Sequence, residues 1–189
     1  MAYPGYQPPP PGYGYQQPPV AGYQPPPQGG PIVRAKRYYY YLTSCLNGLV
    51  ISVPEGSTEP TRVCTAPKKP VNNANNQLWF LDDAGEGYYY IVSKLKPDDT
   101  LVLDIEGRST ENDARVKTYH RKPEHKSRQD RANQMWRVDP DGTIVSALHG
   151  KVMDVKGRNT APGTPIVMFG KKAAHDRPQN QQWRLEPAQ

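Results

Sequence analysis

Asn76-Gln77-Leu78-Trp79, Asn133-Gln134-Met135-Trp136 and Asn180-Gln181-Gln182-Trp183 hold all three tryptophans of the 189-residue chain. They lie 57 and 47 residues apart, and an alternating pair follows each: Phe80-Leu81, Arg137-Val138 and Arg184-Leu185. Upstream of each runs a second marker: Leu49-Val50-Ile51-Ser52-Val53, Leu101-Val102-Leu103-Asp104-Ile105 and Lys151-Val152-Met153-Asp154-Val155. A third marker comes earlier still: Tyr41-Leu42-Thr43-Ser44, Tyr90-Ile91-Val92-Ser93 and Thr143-Ile144-Val145-Ser146. A fourth apolar segment, at residues 62–66, 115–119 and 165–169, sits between the second marker and the Trp. The same markers in the same order three times define an internal repeat.

Each repeat reads as four short strands. Turn residues separate them, as in Pro54-Glu55-Gly56, Pro97-Asp98-Asp99 and Pro162-Gly163. Convincing amphipathic helix patterns are missing. Twelve strands in three four-strand units predict an all-β, pseudo-threefold closed architecture, since closure hides the strand edges. Tryptophans at equivalent positions of such a fold meet in a shared core. The Gln of each motif is expected to bond main chain near a turn, because a buried amide needs partners. The tyrosines of residues 38–41 and 88–90 alternate faces, so about half should pack inward.

Outside the repeats the composition changes. Residues 1–33 hold 11 of the 22 prolines and no Lys, Arg, Asp or Glu. Gly-Tyr-Gln units recur at Gly5, Gly14 and Gly22. Such a Pro/Tyr/Gly/Gln-rich segment has too little apolar surface to offset its ordering cost, and it reads as a disordered, partly polyproline-II tail. Pro10-Pro11-Gly12-Tyr13 fits a ligand of WW-type domains, with a flexible spacer or a self-association segment as alternatives. Residues 34–189 carry all the charge, a mixed-sign net +6, and form the second domain.

The three Gln-x-Trp motifs, each with its upstream Leu-Asp-Ile or Met-Asp-Val segment, resemble the ricin-B-type (R-type) β-trefoil lectin domain over residues 37–187. The resemblance implies a six-strand barrel capped by three hairpins. It implies binding of galactose or N-acetylgalactosamine, with no catalysis and no required cofactor or metal. In that family the Asp accepts hydrogen bonds from sugar hydroxyls, an aromatic of the third strand stacks on the sugar, and Asn and Gln complete the site. The positions implied here are Asp104, Tyr119, Asn133 and Gln134 in the second repeat, and Asp154, Phe169, Asn180 and Gln181 in the third. In the first repeat Ser52 replaces Asp and the aromatic position falls near Ala66, so that copy is expected to be vestigial. The chemistry suits the residue types. A carboxylate accepts two hydroxyl hydrogens, an amide both donates and accepts, and an aromatic face covers a C–H patch. Many secreted members of the family carry a disulfide between the second and third strands. Here Cys64 is in the third strand but the usual partner position is Val50, so Cys45 and Cys64 are expected as free thiols.

Other readings are weaker. Without sugar binding, the fold would serve as a protein-interaction scaffold or inhibitor. No Ser/His/Asp or Cys/His set with interpretable spacing supports an enzyme. The stretch from His120 to Arg131 carries five Lys or Arg, two His and two acids. It reads as a solvated loop or as a basic rim beside Asp104. His120 and His125 lack the further ligands of a metal site. The aromatic-basic interleaving of nucleic-acid modules is missing. No apolar run approaches the ~18–20 residues of a membrane helix. The Met1 end lacks the regions of a secretory signal, so a cytoplasmic location is expected, with non-classical export left open. The number of subunits stays open.

Overall fold

The computed structural model describes residues 37–188 apart from residues 97, 99 and 177. The Pro/Tyr/Gly/Gln-rich segment, its Pro10–Tyr13 motif and part of the Pro97-Asp98-Asp99 turn lie outside the described residues. The first repeat forms β1 (Tyr40–Ser44), β2 (Val50–Ser52), β3 (Cys64–Ala66) and β4 (Trp79–Gly85). The second forms β5 (Tyr88–Ser93), β6 (Leu101–Ile105), β7 (Val116–His120) and β8 (Trp136–Val138). The third forms β9 (Ile144–Ser146), β10 (Val152–Val155), β11 (Ile166–Phe169) and β12 (Trp183–Pro187).

Hydrogen bonding runs β12-β1-β4-β5-β8-β9 around the barrel, all antiparallel. The ring is drawn together at β9 by the Trp183 amide, which donates to the Gly142 carbonyl at 2.8 Å. The second and third strands of each repeat pair as hairpins, β2-β3, β6-β7 and β10-β11. Three isolated bridges tie these hairpins to one another: Arg62 with Lys117, Cys64 with Pro165, and Arg115 with Val167. Each pair of repeats contributes one bridge, which makes the hairpins a closed triangle, and the architecture is a β-trefoil.

Alternation along the strands sorts the side chains. Ile51 and Val53, Leu103 and Ile105, and Met153 and Val155 turn to one buried cluster with Trp79, Trp136 and Trp183. Ser52, Asp104 and Asp154, between them, take the opposite face. The serines that end the first strands repeat too: the Oγ atoms of Ser44, Ser93 and Ser146 accept from the amides of Leu46, Leu95 and Leu148 at 3.1–3.2 Å. Of the tyrosine runs, Tyr41 and Tyr90 are buried, while Tyr38 is 67% exposed. Cys45 and Cys64 are both free thiols.

One α-helical element, beside short 3-10 turns such as Glu106–Arg108, departs from the all-strand reading. Residues Arg128–Arg131 form a single α-helical turn, α1, capped by Ser127, whose hydroxyl accepts from the Asp130 amide at 3.1 Å. It lies in the longer connection between β7 and the Trp of the second repeat. The loop is fastened from outside: Arg131 donates to the Tyr90 hydroxyl at 2.7 Å, and Arg121 stacks on the Tyr90 ring at 4.1 Å. Four residues are too few for the sequence period of a helix to show.

Truncating a core tryptophan should be among the most damaging changes. Trp136→Ala is expected to remove about 3–5 kcal/mol of stability, read as a lowered urea midpoint. Gly142 has φ +83, and a Cβ there would sit 3.1 Å from the Trp183 carbonyl oxygen. Gly142→Ala should therefore cost about 1 kcal/mol or more in the same titration.

Candidate functional site

The three tryptophans do more than fill the core. The indole N–H of Trp79, Trp136 and Trp183 donates to the carbonyls of Ile51, Leu103 and Met153, at 3.3, 3.1 and 3.2 Å. Each acceptor is the residue before Ser52, Asp104 or Asp154. The core side chain of one strand thus fixes the backbone that carries the polar side chain of another.

The Gln of each motif acts as a substitute backbone unit. The Oε1 atoms of Gln77, Gln134 and Gln181 accept from the amides of Lys69, Lys122 and Lys172, all at 2.9 Å. Their Nε2 groups donate to the carbonyls of Pro67, His120 and Gly170, also at 2.9 Å. The chain leaving the third strand is held there without a pairing strand. Each bond contributes only about 1 kcal/mol, but leaving such a buried amide unpaired costs about 1–3 kcal/mol.

On this frame the second repeat brings its four expected residues together. Asp104 is only 3% exposed. Its Oδ2 accepts from Asn133 Nδ2 at 2.8 Å and Gln134 Nε2 at 2.9 Å. Among the described residues no donor reaches Oδ1. Asp104, Tyr119 and Asn133 line a depression of about 360 Å³ with Gly107, Arg108, Lys117 and Lys122. Tyr119 is 39% exposed and offers an aromatic surface at its edge. Gln134 stays behind the carboxylate, fully buried, and supports it. Burial pushes the Asp104 carboxyl above the usual range, against bonds from Gln134 and Asn133 and the nearby charges of Lys122 and Lys117.

The third repeat reproduces the polar core. Asp154 Oδ2 accepts from Asn180 at 2.8 Å and Gln181 at 2.9 Å, and the Lys172 ammonium lies 3.5 Å away. Phe169 carries that ammonium 5.6 Å above its ring. In the first repeat Asn76 donates to Ser52 Oγ at 3.1 Å and Gln77 does not reach it. The place of the aromatic is Ala66, paired with Val50 as Tyr119 is with Val102 and Phe169 with Val152. A depression of about 320 Å³ persists there, lined by Lys69, Asn72, Asn73, Asn75 and Asn76 with Glu55 on its rim.

A lysine in every repeat escaped the sequence reading. The ammonium groups of Lys69, Lys122 and Lys172 donate to Oδ1 of Asn76, Asn133 and Asn180, at 3.3, 2.6 and 3.3 Å. The signal was present as the basic pairs Lys68-Lys69, Arg121-Lys122 and Lys171-Lys172, one just past each third strand. Of the two readings of the loop from His120 to Arg131, a solvated loop or a basic rim, the rim holds for Lys122 alone. It is the only one of the loop's five cations to line the depression. Arg121 pairs with Asp82 and Glu124, Arg128 with Glu86 at 3.0 Å, and Arg131 with Tyr90. These partners draw them to the β4-β5 side. Among the described residues no three His, Cys, Asp or Glu side chains group as metal ligands, and no helix is long and apolar enough to cross a membrane.

Comparison with known proteins agrees with this geometry. A designed threefold-symmetric protein, ThreeFoil, is 31% identical, with 78% of this chain and 97% of that chain covered and a TM-score of 0.65. The C-half of an earthworm R-type lectin, solved with GalNAc, is 23% identical, covering 79% and 98%, with a TM-score of 0.62. A ricin B-like lectin of Macrolepiota procera, solved with lactose, is 18% identical, covering 78% and 94%, with a TM-score of 0.57. No curated protein sequence matches. Residues 32–119 and 121–169 match the family described as ricin-type beta-trefoil lectin domain-like. With the three Gln-x-Trp motifs in equivalent places of a trefoil, the chain belongs to the ricin-type β-trefoil lectin domain family.

Proposed function

We propose that the protein is a non-catalytic lectin for galactose- or N-acetylgalactosamine-type glycans, with working sites in the second and third repeats and a vestigial first. One observation carries the reading: the divided carboxylate of Asp104. One oxygen is tied down by Asn133 and Gln134, and the other opens on the depression that Tyr119 borders. A fixed acceptor beside an aromatic surface suits a ligand with adjacent hydroxyls and an apolar C–H face. At Asp154, beside Phe169, Oδ2 is engaged in the same way, which supports a second site. Family membership and the sugar-bound earthworm and Macrolepiota trefoils support carbohydrate as the ligand class. Single sites of this shallow kind bind at about 1 mM, so two of them on clustered glycans gain by avidity.

The test replaces each Asp by Asn. The Asn carboxamide oxygen still accepts from Asn133 and Gln134, while its NH2 faces the depression and accepts nothing. Asp104→Asn should fold and be at least as stable at neutral pH. The carboxyl that burial raises loses stability as it ionises between its ordinary and its raised value, and Asn has no such cost. Galactose binding by calorimetry should fall about tenfold or more at each altered site and vanish in the Asp104→Asn/Asp154→Asn protein. Unchanged binding in that folded double variant would refute the reading. Binding at the second repeat should also weaken on acidification before pH falls to about 4, the range of an ordinary Asp, because the site needs the ionised form.

A further inference from the structure

The depression of the second repeat is surrounded by Arg108, Lys117 and Lys122, and its one acid is Asp104. Three cations face one carboxylate whose Oδ2 is already engaged by two amides. Among the described residues none of the three cations makes a salt bridge within 4 Å. Arg108 gives its hydrogen bonds to the main-chain carbonyls of Gln129 and Asp130. Lys122 reaches the Asp130 carbonyl and Asn133 Oδ1. Lys117 stands opposite Asp104 in the β6-β7 register and holds its ammonium 4.5 Å over the Tyr119 ring. One face of Tyr119 is thus covered by that ammonium, so a sugar stacks on the other face or moves Lys117 aside to its own edge.

The other repeats lack the full set: the third keeps Arg158 and Lys172 in the places of Arg108 and Lys122 but has no counterpart of Lys117. Cys64 and Val167 occupy the place of Lys117, opposite Ser52 and Asp154. Lys172 has Asp154 within 3.5 Å. In the first repeat the two residues of left-handed backbone after the second strand are Glu55 and Gly56, where the second repeat has Gly107 and Arg108. The charge on that rim is thus an acid in one repeat and a base in the other.

Resting on the lectin reading, we propose that the second-repeat site selects a galactose-type sugar bearing an anionic substituent, held by Arg108, Lys117 and Lys122. Asp104, Asp130 and Glu106 act on these cations without pairing with them within 4 Å, and a sulfate, phosphate or carboxylate would supply the direct partner, with charge-assisted bonds from a guanidinium and ammonium groups. Burial lowers the Lys122 ammonium below the usual lysine range, and the like charge of Arg108 adds to this, against the opposing charges of Asp104 and Asp130. An anion between the two would relieve that repulsion. Asp104 stays the acceptor for the hydroxyls of the sugar.

The test is calorimetry on the full chain carrying Asp154→Asn, which isolates the second repeat. The probes are galactose, galactose 3-sulfate, galactose 6-sulfate, galactose 6-phosphate and 6'-sialyllactose, at low and at high salt. At least one anionic probe should bind about five- to tenfold tighter than galactose, and the ratio should shrink in high salt. Comparing the probes tells sulfate, phosphate and carboxylate apart. Lys117→Ala, and separately Arg108→Gly at its φ of +54, should each bring the ratio toward one. Galactose binding with no preference for any anionic probe, or a preference untouched by both variants, overturns this inference and leaves the lectin reading standing. No binding of any probe, neutral or charged, overturns both.

Discussion

Each repeat depends on one hydrogen bond between its core and its surface. The tryptophan indole donates to the carbonyl just before Ser52, Asp104 or Asp154. The ring is buried with the apolar residues on either side of that position. An indole N–H buried without a partner is costly, so packing the ring and placing the second strand are one event. The position of the polar side chain on the opposite face follows from it. A change that loosens the core therefore also moves the surface residue.

The glutamine adds a second tie, from the same short stretch of chain. It closes the gap where the third strand ends and no strand is available to pair. In the second and third repeats its NH2 group also reaches the Asp carboxylate. Asn-Gln-x-Trp therefore holds three things at once: the second strand through Trp, the end of the third through Gln, and the carboxylate through Asn and Gln. This explains why so brief a motif can organise about fifty residues, and why three copies suffice for a barrel.

Symmetry of the backbone has not produced symmetry of charge. The Asn, Gln, Trp and Lys scaffold is present in all three repeats, yet what it presents differs. The first offers a serine and an acid-rimmed, asparagine-lined hollow, the third a carboxylate beside Phe169 and Lys172, and the second a carboxylate ringed by cations. The positions that vary lie on the outward face of the strands and on the turns, where no core partner constrains them. The insertion of the second repeat brings only Lys122 to its depression, and its other arginines brace it against the barrel.

Much of this was legible in the chain itself. Alternating apolar residues and the recurrence of Asn-Gln-x-Trp announced twelve strands, the threefold and the shared core, because strand period and burial are local consequences of residue order. The grouping of Asp104 with Asn133 and Gln134 was legible only through the resemblance, since nearly thirty residues separate them. The short turn at Arg128–Arg131 and the recurring lysine were missed, one because it is shorter than any period, the other because a basic pair reads as ordinary surface. Where the charges of the loop go was decided by the tertiary structure alone. Arg108, Lys117 and Lys122 come from three different segments, and only the closure of β6 on β7 and the packing of the loop bring them around one carboxylate. Charge acts through space, and the order of residues along a strand cannot say which distant cation will be its neighbour.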